Sequence, residues 1–479
     1  MKRRLIALWA AAGLVLALAG ATPALAEAAD FGRPSAESVF TDARQSLTFR
    51  QPVTLASPAS RVEILLETPD SLGPYVREVP APSGSGDHTL VFQWDFVEDG
   101  HLVPNTPLTA RWRVTVGEGD GASASTGPPV RVVVGDERFR WRTKQGDFVR
   151  LHWYEGDEAF AERALAIGDE AVRKATTLFG VKENEPIDFF VYADSEGLYG
   201  ALGPGTRENV GGQAHADIRT LFADITPGEV NDPWVADVVP HELTHLVFAT
   251  AVKNDYHGPP RWLNEGLAVY LSVGYAPEWR AATEEAVRSG RLVPLHALVD
   301  QFPTTPGLFY QAYGISTSAV DYLVRTYGRD AMVALVRSYA SGVSDDEAFR
   351  SAIGVDTAGF ETAWLVDIGA SMPERQGPRS APPGPLPSDW VGSPGPGATS
   401  APAGQTSAPG GATLPPTSEP SGAPGSGTSN GGDGVVLVGA GTVALGAVIV
   451  LAAWAVRGRR RTGAGLPPPP TGAGQGGGE

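Results

Sequence analysis

Cysteine is absent from all 479 residues. That excludes a disulfide framework, thiolate metal ligands and a cysteine nucleophile, so stability has to come from packing. Positive charge is scarce as well: 37 Lys and Arg stand against 54 Asp and Glu, a formal net charge of -17. Such a balance argues against nucleic acid or an anionic membrane surface as a partner and is silent about fold. Between residues 373 and 434 large apolar side chains almost vanish and Pro, Gly, Ser, Ala and Thr take over. A segment of that kind buries too little surface to offset its ordering entropy, and a disordered stalk is expected there.

Long apolar runs occur only near the ends. Residues 1–26, MKRRLIALWAAAGLVLALAGATPALA, join a basic start to an apolar stretch and a small-residue end at Ala24-Leu25-Ala26, the pattern of a secretory signal peptide. Val435 to Val456 is uncharged over 22 residues, enough for a helix to cross about 30 Å of hydrocarbon. Arg457, Arg459, Arg460 and Arg461 follow it at once. Positive charge stays on the cytoplasmic side, so the expectation is a bacterial single-pass membrane protein, tail 457–479 inside and everything before residue 435 outside.

The rest divides in two. Across residues 27–137 short alternating runs such as RVEILLET, HTLVFQWDF, LTARWRVTV and PVRVVVGD are separated by turn residues, which predicts an all-β sandwich of immunoglobulin-like or fibronectin-like kind. Residues 138–372 change to a mixed pattern: FVRLHWYEG and IDFFVYA as strands, DEAFAERALAIGDEAVRKATTLFG as a helix, GGQAHADIRTLFADI as a long strand or hairpin, then mostly helices. Strands first and helices after is the order of an α+β domain with a cleft between two lobes.

Within that second segment lies HELTH, residues 241–245. Residues four apart share a helix face, so His241 and His245 present two imidazoles to one ion, with Glu242 beside them. Leu243, Leu246 and Val247 fall on the opposite face, predicting a wet face and a dry one. Pro240 either starts or kinks this helix. Two histidines leave Zn2+ short of ligands. Glu265, in RWLNEGLAVY after 19 intervening residues, is the best third: the KNDYHGPPRW stretch turns the chain into a second helix, and Gly266 allows close helix approach. His257 is a rival, but it lies in the turn, and the metzincin spacing would need His at position 251, where Ala stands.

VVPHELTHLVF followed by RWLNEGLAVYL resembles the gluzincin metallopeptidases, the thermolysin-like and aminopeptidase-like group, and above all the compact bacterial peptidase MA-like domains. The resemblance spans roughly residues 139–372 and implies one zinc per chain held by His241, His245 and Glu265. By the same resemblance Glu242 is the general base, GGQAHADIRTLFADI supplies an antiparallel edge strand above the metal, and a Tyr or His on a later element donates to the oxyanion. LFYQAYGIS offers Tyr310 and Tyr313, and the family pattern points to Tyr310. The substrate class implied is peptide or protein.

The aminopeptidase branch of these families carries Gly-x-Met-Glu-Asn on the edge strand, its Glu binding the free amine. Here Gly212-Gln213-Ala214-His215-Ala216 stands instead, and an endopeptidase is expected. Gly211 and Gly212 suit close approach of an extended substrate, while His215 reads as a polar-face residue. The alternative function is surface adhesion or binding by the sandwich, with a structural or inactive zinc site. The sequence leaves the oligomeric state open.

Overall fold

The computed structural model describes residues 29–373 apart from Asp70, residues 205–210 and Asp255. The expected signal peptide, the span Val435 to Val456, the cytoplasmic tail and all but the first residue of the expected stalk lie outside the described residues. Among the described residues no helix is long and apolar enough to cross a membrane.

The first part is β throughout: β1 (Ala29–Phe31), β2 (Ser35–Phe40), β3 (Gln45–Leu55), β4 (Ala59–Glu67), β5 (Tyr75–Val79), β6 (Gly86–Asp95), β7 (Pro107–Val116), β8 (Ser123–Thr126) and β9 (Val130–Val133). Two long strands organise two antiparallel sheets. In one, β3 pairs with β6 along its length and with β2 and β1 end to end on the other side. In the other, β7 pairs with β4 on one side and with β8 and β9 on the other, while β5 extends the sheet beyond β4. Phe40, Leu47 and Phe49 from the first sheet and Val62, Ile64, Trp112 and Val114 from the second fill one core. Period-two alternation brings this about: along β7, Leu108, Ala110, Trp112 and Val114 are buried while Arg111 between them is exposed.

The second part opens with β10 (Arg142–Gln145) and β11 (Val149–Trp153), followed by α1 (Glu158–Phe179), β12 (Ile187–Tyr192), α2 (Ser195–Leu202), β13 (Gly212–His215) and β14 (Thr220–Asp224). Asp157 caps α1 by accepting from the Phe160 N–H, and Gly180 ends it in the left-handed region. The sheet order is β10-β11-β12-β14-β13, with β11, β12 and β14 parallel and both edge strands antiparallel. Here the expected order of strands followed by helices is corrected. A parallel pair needs a crossover, and α1 supplies it between β11 and β12.

The helical part is α3 (Pro233–Val252), α4 (Arg261–Val273), α5 (Pro277–Arg288), α6 (Pro306–Tyr327), α7 (Arg329–Ser338), α8 (Asp345–Ile353) and α9 (Thr357–Asp367). Pro240 neither starts α3 nor ends it. The helix begins about two turns earlier, at Pro233, and runs through Pro240, which has no N–H to donate to the residue four before it. The core formed by α1, α3, α4 and α6 closes over one face of the sheet. Close approach at Gly266 is to α6: a methyl group there would sit 2.5 Å from the Ser316 carbonyl oxygen, so only glycine lets α4 lie this near to α6.

The two parts meet through the loop after β6. His101 Nε2 lies 2.8 Å from the Ala201 carbonyl oxygen, and Asn105 Nδ2 donates to Asp188 Oδ2 and Thr220 Oγ1, both at 2.9 Å. Burial alone would lift the pKa of Asp188. Bonds from His152, Arg150 and Asn105 outweigh it and hold the carboxyl well below its usual range.

Candidate metal centre

Three elements place the functional side chains. On α3, His241 and His245 stand one turn apart, ring centroids 4.8 Å from each other and nearly perpendicular. α4 enters behind the Pro259-Pro260 pair with its first N–H groups satisfied from outside the helix, Arg261 by the Val299 carbonyl at 2.6 Å and Trp262 by the Leu298 carbonyl at 3.1 Å. Those bonds fix where α4 starts and therefore where Glu265, one turn in, arrives. β13, an edge strand of the sheet, lies across α3.

His241, His245 and Glu265 offer three ligand atoms within 4.8 Å of one another. The two Nε2 atoms are 3.1 Å apart, and Glu265 Oε2 lies 3.7 Å from that of His241 and 3.6 Å from that of His245. Atoms bound to one tetrahedral zinc at ~2.0–2.1 Å stand about 3.4 Å from each other, so the triangle has the right edges. Glu265 Oε2 is buried and makes no hydrogen bond, which a metal would remedy. His245 Nδ1 faces Asn264 Oδ1 at 2.9 Å. That contact assigns the proton to Nδ1 and leaves the Nε2 lone pair toward the triangle.

The residues fit zinc electrostatically too. Burial lowers the pKa of His245 to about 4, so its imidazole is neutral at pH 7 as a ligand must be. Burial opposes the charge on Glu265, but the neighbouring imidazoles and Arg261 prevail and hold its carboxyl below the usual range. Arg261 Nη2 donates to Glu265 Oε1 at 3.2 Å.

Glu242 sits beside the triangle, and its Oε2 accepts from the Ala214 N–H of β13 at 3.0 Å. Gly212 lets that strand come so close: a methyl group there would meet Val238 at 3.2 Å and Glu242 at 3.3 Å. With no metal counted, burial and the charge of Glu265 push the Glu242 pKa well above its ordinary value, against the pull of the Ala214 bond.

Several expectations need correction. The face carrying His241, Glu242 and His245 is not wet: each of the three is 2% exposed and Glu265 is fully buried, because α4 and β13 pack against α3 and Tyr313 of α6 lies beside His241. Tyr310 packs on Trp279 at 4.9 Å, and the charge bearing on its hydroxyl is that of Glu278. Tyr313, one turn further along α6, brings its ring to 6.5 Å from that of His241, and burial and the charge of Glu265 raise its pKa well above normal. Of the two tyrosines, Tyr313 is the one whose ring lies against His241. His257 is held by Asp345 at 3.0 Å and stands outside the ligand group. His215 on β13 is partly covered, its Nε2 enclosed without a hydrogen bond and its ring edge-on to Phe222.

Sequence reasoning did not find Asn264, Arg261 or the Ala214 N–H. The first two were within reach. Asn264 adjoins the third ligand, and Arg261 precedes Glu265 by four residues, the spacing of a helical ion pair. The backbone donor has no signature in residue type.

Compared with known proteins, residues 167–370 match the Peptidase MA superfamily. Aminopeptidase M1-A of rice (Oryza sativa subsp. japonica) is 28% identical over 166 residues, 34% of this chain. The chain spans only 18% of the length of that curated relative. Among solved structures, an M1 zinc metallopeptidase from Deinococcus radiodurans aligns over 74% of this chain and 97% of its own at 16% identity, TM-score 0.35. An aminopeptidase N family protein from Idiomarina loihiensis aligns over 67% and 75% at 11% identity, TM-score 0.36.

Within the matched domain the His215 ring, its Nε2 enclosed, ties stability to pH. His215 has its pKa lowered by burial from 6.5 to about 4. Between those values the unfolded chain binds more protons than the folded one, so stability is full above about pH 6.5 and is lost as pH falls toward 4. In metal-free protein, His215→Gln should shrink the stability lost between pH 7.5 and 5 by about 2 kcal/mol, measured by urea unfolding at the two pH values. An unchanged loss would show that the His215 ring is solvated.

Proposed function

We propose that the chain is a zinc-dependent peptidase that cuts internal peptide bonds outside a bacterial cell, held there by one C-terminal membrane span. The observation that carries the catalytic part is Glu242: an acid-base group fixed by a strand N–H beside a three-ligand metal triangle. A purely structural zinc site needs no such neighbour, and this weighs against the adhesion alternative.

Zinc bound by His241, His245 and Glu265 would supply an acidified water and polarise the scissile carbonyl. The residues around it do the rest. Glu242 takes the proton of the attacking water and hands it to the leaving amine. Ala214 keeps one carboxylate oxygen of Glu242 engaged, so the other is the one that meets the water. Asn264 fixes the His245 ring. Tyr313, whose ring lies beside His241, would donate its hydroxyl to the oxyanion as charge develops on it. Glu242→Gln should retain the metal while lowering turnover by about 10²–10⁴-fold, measured as zinc content and hydrolysis of a peptide mixture with and without chelator. Full activity in that variant, or no zinc in the wild type, would overturn the mechanism.

The preference for internal bonds rests on β13. Its residues Gly212, Gln213, Ala214 and His215 contain no carboxylate to bind a substrate amine, and an extended substrate can lie along this edge strand. N-acetylated peptides should be cut about as well as free ones, giving internal fragments by mass spectrometry. Stepwise release of single N-terminal residues, abolished by acetylation, would favour the activity named for the rice and Idiomarina relatives.

Anchoring is read from the signal-peptide pattern and from the apolar run Val435 to Val456 ahead of four arginines. Protease added to intact cells should release a fragment containing HELTH. Digestion of the C-terminal tail alone would mean the inverse orientation.

A further inference from the structure

We propose that Arg261 is a positioning residue that holds Glu265 as a one-oxygen metal ligand; the assignment rests on the zinc reading above. Arg261 is the first residue of α4 and Glu265 lies one turn on, so both side chains leave the same face of the helix. The guanidinium is not a surface group: its side chain is 8% exposed and sits over the Phe302 ring at 5.1 Å from the centroid. Its Nη2 donates to Glu265 Oε1. That leaves Oε2, the oxygen without a hydrogen bond, turned toward the two imidazoles.

A carboxylate offers zinc one oxygen or two. One leaves the fourth position open for the water that catalysis needs, and two would fill it. A guanidinium bonded to Oε1 withholds that oxygen. The placement is built from outside α4: Val299 fixes the Arg261 backbone at 2.6 Å and Phe302, three residues later in the same segment, supports the guanidinium. A buried arginine serving stability alone would use its remaining donors, yet its Nε is enclosed and makes no hydrogen bond.

The test uses the full chain with Arg261→Met, which keeps volume over Phe302 but has neither charge nor donor, and Arg261→Lys, which keeps the charge without the planar fork. Zinc affinity is measured by chelator competition, coordination by the visible spectrum of the cobalt form, and folding by the melting temperature of metal-free protein. Expected for Arg261→Met is an affinity about tenfold lower or more, with weaker, shifted cobalt bands as Glu265 turns both oxygens to the metal; Arg261→Lys falls between. A purely structural role would lower the melting temperature and leave affinity and spectrum as in wild type, which overturns the proposal. If Arg261→Met does not fold, Arg261→Lys is read alone, and wild-type affinity with a wild-type spectrum overturns it equally. Wild-type protein that binds neither zinc nor cobalt overturns the zinc reading itself, an outcome seen before any variant is made.

Discussion

A carboxylate with no exposed surface at all, Glu265, sits between two imidazoles and a guanidinium, and the helical half of the molecule is arranged around keeping it there. An isolated charge in such a place is costly, and removing one partner of a buried pair costs more than the pair contributes. Each neighbour therefore has to arrive with accuracy. α4 is stopped at the right residue by two carbonyls, pressed against α6 at a glycine, and faced by α3 at the height of its histidines. Stability and chemistry share these contacts, because the charges that make Glu265 tolerable are the ones that define a metal position.

Much of this could be read from residue order, and the reasons for success and failure are particular. The histidine pair and Glu265 were legible because helical periodicity alone brings His241 and His245 together, and the turn residues before Arg261 force the chain back. α1 was legible from its capping Asp157 and terminal Gly180. Which of Tyr310 and Tyr313 lies nearer the histidines was not, since residues three apart share a helix face and nothing local says which turn of α6 meets them. The wet face failed for a related reason. His, Glu and Thr look like an exposed side in isolation, but tertiary packing covers both sides of α3, and polar residues at a metal position are buried because of what they bind. β10 and α2 were missed as short elements with weak patterns, and β3 as a strand interrupted by Pro52.

The edge strand links sheet and site. β13 pairs on one side only, and one of the N–H groups on its free side goes to Glu242 instead of solvent. An open edge invites pairing with other chains. Here part of it is occupied by α3, which blunts that liability and positions the Glu242 carboxylate at the same time.

The loop carrying His101 and Asn105 has a consequence for how the molecule can be divided. Asn105 bonds Asp188, a β12 carboxylate that also binds Arg150 and His152, and His101 reaches a carbonyl of α2. Phe139, Trp141, Tyr154 and Tyr192 form an aromatic nest just past the sandwich, with the neighbouring Val103 packed against the same cluster. A chain cut at residue 137 would therefore yield a fragment with part of its sheet stripped of cover and a carboxylate short of a donor. The sandwich is better regarded as the missing wall of its neighbour than as a pendant joined by a tether.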